Sequence, residues 1–127
     1  MSNTPDNLFY TKEHEWVEVL SDTTVRFGIT DYAQGSLGDI VFVALPAVGD
    51  TITAGVSCGE VESTKSVSEI YAPVTGVVTE VNEKVETSPE LINKDSYKTG
   101  WLIAVEISGD ISQFSLLSAG DYIQLIQ

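Results

Sequence analysis

Catalytic raw material is scarce in this chain. Its 127 residues include one histidine, one cysteine and one methionine. A lone cysteine, Cys58, excludes an internal disulfide. A lone histidine, His14, with no companion His or Cys at ligand spacing, is a poor zinc site. The two lie far apart in sequence, which argues against a nucleophile–base pair. Paired catalytic carboxylates, a Ser/His/Asp arrangement and a glycine-rich phosphate loop are also missing, so an enzyme is not expected. Basic residues are few: six Lys and Arg stand against 19 Asp and Glu, a formal charge of −13. That balance repels phosphate backbones and anionic membrane surfaces, so neither nucleic acid nor membrane is an expected partner. It favours solubility and steering toward basic protein surfaces. No apolar run is long enough to span a bilayer. Residues 1–6 lack the basic start and apolar stretch of a signal peptide, which predicts a cytoplasmic location.

What is present is ordinary for a folded protein. Apolar residues make up 43% of the chain, enough for one core in one domain over 1–127. Residues 1–8 read as a loose N-terminus. Val17 and Val19 alternate with Trp16 and Glu18. After a turn at Ser21-Asp22, Val25, Phe27 and Ile29 alternate with Thr24, Arg26 and Gly28, which suggests a hairpin. At Thr30-Asp31 the period changes. Either residue can cap a helix carrying Ala33 and Leu37 on one face. Gly35 and Gly38 weaken it by roughly 1 kcal/mol each, so the helix is short. Ile40–Leu45 reads as a buried strand ended by Pro46, Thr51–Thr53 as a short one. Gly76–Val81 is another strand, followed by a turn at Asn82-Glu83. Ser88-Pro89 reads as the capped start of a helix reaching Asn93. Trp101–Ile107 is the last strand. Ser118 caps a final helix with an apolar stripe of Tyr122, Ile123, Leu125 and Ile126. Many short strands between turns predict a mainly β fold of sandwich or flattened-barrel type with short helices. Cys58 is read as a small buried hydrophobe.

The most informative stretch is Gly59 to Gly76. Two alternating runs, Val56–Glu62 and Val67–Tyr71, flank Ser63-Thr64-Lys65-Ser66, small polar residues that read as a turn. Lys65 then stands at a hairpin tip without bulky neighbours, as an amine does when another protein must reach it. Pro73 closes the second run and Gly76 permits the next turn.

The segment Glu62-Ser63-Thr64-Lys65-Ser66-Val67-Ser68-Glu69-Ile70-Tyr71-Ala72-Pro73 resembles the lipoyl-lysine motif of the glycine cleavage system H protein family. His14-Glu15-Trp16-Val17, Gly28-Ile29-Thr30-Asp31-Tyr32, Leu37-Gly38-Asp39-Ile40-Val41 and Pro89-Glu90-Leu91-Ile92-Asn93 also match that family, in order and spacing, across nearly the whole chain. The resemblance implies two antiparallel sheets in a barrel-sandwich hybrid, with the lysine hairpin at one end and helices at the periphery, one of them C-terminal. It implies a monomeric carrier whose Lys65 holds lipoic acid in amide linkage. A pyridoxal-phosphate glycine decarboxylase would load an aminomethyl group on that arm. A tetrahydrofolate-dependent aminomethyltransferase would remove it, and dihydrolipoamide dehydrogenase would reoxidise the dithiol. A lipoylating enzyme would attach the arm. The resemblance also assigns Glu15 to hold the cationic amine of the loaded arm, with Ile29 lining the groove and Glu69 near the arm. His14 is read as structural. Glu62 and Glu69 are equally a polar face or a recognition feature for lipoylation.

Rival readings are a biotin domain, a lipoyl domain of a 2-oxoacid dehydrogenase, an unlipoylated adaptor, or a lipoyl donor to other complexes. Thr64 and Ser66 stand where a biotin domain has methionines. The His-Glu-Trp block is foreign to 2-oxoacid dehydrogenase domains. An adaptor would have no need of an intact lysine motif. Cys58 and Thr64 are small departures from the family pattern.

Overall fold

The computed structural model describes residues 3–127. In chain order its elements are β1 (Phe9–Tyr10), β2 (Glu15–Val19), β3 (Thr24–Ile29), α1 (Asp31–Leu37), β4 (Ile40–Ala44), β5 (Thr51–Ile52), β6 (Ser57–Ser63), β7 (Val67–Tyr71), β8 (Gly76–Val81), α2 (Glu83–Thr87), α3 (Glu90–Lys94), β9 (Ile103–Ile107) and α4 (Ala119–Ile126). The strands make two antiparallel sheets, ordered β1-β2-β3-β9-β8-β5 and β4-β6-β7. The expected mainly β sandwich is therefore present, with short helices including a C-terminal one. It does not close into a barrel: β1 and β5 end one sheet, β4 and β7 the other.

Between the sheets lies a core that includes Val17, Val25, Phe27, Val43, Val61, Ile70, Val78, Ile103 and Val105. Each such side chain, fully buried, contributes roughly 1.5–3 kcal/mol. Alternation predicts this face for β3 and β9. It does not predict the second cluster, Leu8, Tyr10, Trp16, Ala119 and Tyr122, on the far side of the larger sheet. There the C-terminal helix packs over β1, and Ser96 and Tyr97 meet Trp16, so Trp16 is as buried as Val17. Trp16 Nε1 satisfies its polar edge by donating to Ser96 O at 2.9 Å.

Several local expectations change. Residues 3–8 are pinned, not loose: Asn3 N donates to Asp31 Oδ2 at 2.9 Å, Tyr10 Oη donates to Pro5 O at 2.7 Å, and Leu8 is buried. Met1 and Ser2 lie outside the described residues. Val19 is exposed where β2 outruns the core. In β4 a register shift between Ile40 and Phe42 turns Val41 and Phe42 to solvent. Asn82 caps α2 instead of making a simple turn: its side chain accepts from Lys84 N at 3.2 Å. Ser88 ends that helix rather than capping the next, and Pro89 starts α3 without a side-chain cap. Ser118 does cap α4, but only Ala119 and Tyr122 of that helix are fully buried. Ile123 and Leu125 face solvent.

Gly76 opens β8 without a positive φ, so it is required by close approach rather than by the expected turn. A Cβ there would run into the backbone carbonyl of Glu106 on β9 and lie 2.6 Å from Val105 Cγ1. Gly76→Ala is expected to destabilise by about 1–3 kcal/mol, the range for overpacking, seen as a lower urea midpoint. An unchanged midpoint would show that β8 and β9 separate freely.

Candidate functional site

β6 and β7 form the expected hairpin, paired down to Glu62 and Val67. Ser63 builds the tip. Its backbone N donates to Ser66 O at 2.8 Å, and its hydroxyl oxygen accepts from Lys65 N and Ser66 N, both at 3.1 Å. This short polar side chain replaces the backbone partners that a tight turn leaves unmade. Thr64 N donates to Asp39 O at 3.1 Å, tying the tip to the approach to β4. Lys65 is exposed. The ion pair among the described residues is elsewhere, Arg26 with Glu18 at 2.7 Å.

Gly38 ends α1 beside this lysine. Its φ is 86°, a left-handed conformation that favours glycine. A Cβ there would lie 3.2 Å from Lys65 Cε, so the missing side chain leaves room for the lysine stem. Asn93 of α3 braces the same corner. It accepts from Ile40 N at 2.9 Å and donates to Gly38 O at 2.9 Å and Gln34 Oε1 at 2.8 Å.

From Leu37, next to Gly38, a groove of about 230 Å³ runs between α1 and β7 to the start of β2. Ile29, Ala33 and Leu37 give it an apolar wall, and Glu13, His14, Glu15, Tyr32, Ser36, Ser68 and Glu69 give it polar groups. Glu15, Ile29 and Glu69 are thus brought together in one groove, whose lining includes Leu37, the chain neighbour of Gly38. Glu62 is exposed and outside this lining. Glu69 is exposed, its Oε2 accepting from Ser57 Oγ at 2.7 Å.

Glu15 is the unusual member. It is 1% exposed, at the bottom of the groove rather than on an open acidic surface. Oε1 accepts from Thr11 Oγ1 at 2.5 Å and Oε2 from Tyr71 N at 3.2 Å. Burial pushes its pKa up to about 8. The two hydrogen bonds pull it down by less, and the charge of Glu13 adds to the rise. A second cavity, about 440 Å³, is also lined by Glu15, together with Lys12, Tyr71 and Phe114. Cys58 is half-buried against the core, its thiol pushed up to about 12 mainly by burial.

A carboxyl whose folded pKa lies above its unfolded value adds stability at low pH. That contribution is lost as pH rises from about 4.5 through about 8. His14, held neutral by burial, acts in the opposite sense below its ordinary 6.5. The urea midpoint is therefore expected to fall between pH 6.5 and about 8, and Glu15→Gln to flatten that fall. A wild-type slope in the variant would assign the effect elsewhere.

Periodicity shows Ala33 and Leu37 on one helix face but reads that face as core. The structure turns part of it to the groove. Ser68 and Tyr32 carry no sequence signal of their own.

The glycine cleavage H-protein family model matches residues 8–127. A glycine cleavage system H protein of Mycobacterium avium (strain 104) is 57% identical over 119 residues, covering 94% of this chain and 90% of that protein. One of Mycobacterium tuberculosis (strain ATCC 25177 / H37Ra) is 54% identical over 113 residues, covering 88% and 84%. The crystal structure of a glycine cleavage system H protein from Mycobacterium marinum superposes with a TM-score of 0.88 at 44% identity, covering 94% of this chain and 96% of that one. With its fold, its hairpin lysine and its matched sequence in agreement, this chain belongs to the glycine cleavage H-protein family.

Proposed function

We propose that Lys65 carries lipoic acid in amide linkage, and that the chain is the mobile carrier among the enzymes of glycine cleavage. Those enzymes are glycine decarboxylase, the tetrahydrofolate-dependent aminomethyltransferase and dihydrolipoamide dehydrogenase, with a lipoylating enzyme to attach the arm. The protein is their shared substrate, not a catalyst. The observation that carries this reading is an exposed lysine on a stiff β turn, on a chain that also holds a partly apolar groove reaching Leu37. When attached, the lipoyl group supplies a reversible disulfide able to take up and release an aminomethyl group.

The chain's own residues supply position. Ser63 and the Thr64–Asp39 contact fix the tip from which the arm extends. Gly38 keeps the space beside the lysine open. Ile29 and Leu37 offer apolar contact in the groove. Glu15 waits at its base, shielded from water, as the partner for a cationic amine.

Intact-mass measurement of protein purified from its own cell tests this. A mass increment of one lipoyl group is expected on the peptide containing Lys65. Glycine–bicarbonate exchange with purified decarboxylase should require that modified form. Full exchange by unmodified protein would overturn the proposal.

A further inference from the structure

Tyr122 belongs to α4, yet its hydroxyl meets two residues from the opposite end of the chain. It lies 2.7 Å from Thr30 Oγ1 and 2.8 Å from His14 Nδ1. The directions of these bonds follow from counting protons. Thr30 is fully buried, so water does not take its hydroxyl proton. Its oxygen accepts from Ala33 N at 3.2 Å as the N-cap of α1. Among the described residues, Tyr122 Oη is the acceptor its proton reaches. Thr30 therefore donates to Tyr122, and the Tyr122 proton turns to His14 Nδ1. Burial holds the imidazole neutral against the opposing charge of Glu13. With Nδ1 accepting, its single proton sits on Nε2.

His14 is otherwise held in place by its backbone. Its φ is 70°, rare outside glycine. His14 N donates to Thr11 O at 3.1 Å, and its carbonyl accepts from Thr30 N at 3.0 Å. Tyr122 is fixed in turn by a stack on Tyr10, centroids 4.7 Å apart and planes 8° from parallel. His14 shares the groove lining with Glu15 and Tyr32. Among the described residues its Nε2 makes no hydrogen bond.

We propose that Tyr122 is a positioning residue: through Nδ1 it fixes His14 as a neutral Nε2–H donor on the groove wall, leaving the carboxylates, Glu15 foremost, as acceptors for a cationic amine. The opposite tautomer would place a free lone pair, and so a base, beside the cargo. The C-terminal helix thereby keeps a competing acceptor out of the groove. The proposal rests on the carrier reading only for the nature of the cargo. The tautomer stands without it.

Long-range proton–nitrogen correlation of the single histidine ring tests it in the full, unlipoylated chain. The wild type is expected as the Nε2–H tautomer at pH 7. Tyr122→Phe is expected to mix tautomers. Tyr10→Phe removes the other hydroxyl of the stack, which donates to Pro5 O, and should keep the wild-type tautomer. On aminomethyl-loaded protein, Tyr122→Phe should shorten cargo lifetime about fivefold, the factor expected for one neutral hydrogen bond. Tyr10→Phe should not. An Nδ1–H tautomer in the wild type, or an unaltered one in Tyr122→Phe, overturns the relay. Equal lifetimes despite a changed tautomer overturn its protective role.

Discussion

Protein carrying Lys65→Arg is expected to show no lipoyl mass and to support no glycine–bicarbonate exchange. The loss should be complete because the defect is chemical. Amide formation needs a neutral amine at the moment of attack. A lysine ammonium can release its proton, whereas guanidinium stays charged in proteins. The substitution keeps charge, length and exposure. Lys65 is exposed and outside the ion pair formed by Arg26 and Glu18, so stability should move by less than about 0.5 kcal/mol, as for other surface changes. A folded variant without activity therefore isolates attachment from folding. Residual exchange above background would mean that a different lysine carries the arm.

Glu15→Ala should leave lipoylation intact, since Glu15 lies in the groove and makes no contact with the hairpin tip. The aminomethyl-loaded form should then decay faster. A hydrogen bond to a charged group is worth about 1.5–3 kcal/mol, or on the order of 10- to 100-fold in lifetime. Alanine also strands Tyr71 N and opens a void, so part of its effect is structural. Glu15→Gln separates the two. With a pKa of about 8, wild-type Glu15 is mostly neutral at pH 7 while the groove is empty, and glutamine mimics that state in shape and charge. It cannot ionise when an ammonium arrives. Glutamine should therefore fold like the wild type at pH 7 yet release cargo nearly as fast as alanine. A long-lived adduct in the glutamine variant would remove ionic capture from the mechanism.

The sandwich was legible wherever one strand face is buried and the other is wet. Val25, Phe27 and Ile29 declare such a face in β3, and Ser63 to Ser66 mark the hairpin tip. Legibility failed where packing comes from a distant segment. Nothing local to Trp16 tells that Ser96 and Tyr97, 80 residues and more later, meet it, and Val41 reads as core although a register shift turns it outward. Helix α2 was recoverable: Asn82 followed by Glu83 and Glu86 is a cap with acidic first-turn residues, hidden because Asn-Glu also reads as a turn. At the site, family motifs drew attention to Glu15, Ile29 and Glu69 together. Their meeting in one groove, and the burial that makes Glu15 weakly acidic, depend on how β7 approaches α1 and β2.

The bond from Tyr71 N to Glu15 Oε2 joins the edge strand of the small sheet to a side chain of the large one. That peptide proton faces a neutral acceptor in one state and an anion in the other. Its nuclear shielding and its exchange with deuterated solvent should thus change when cargo settles, giving a label-free gauge of occupancy built into the seam between the sheets.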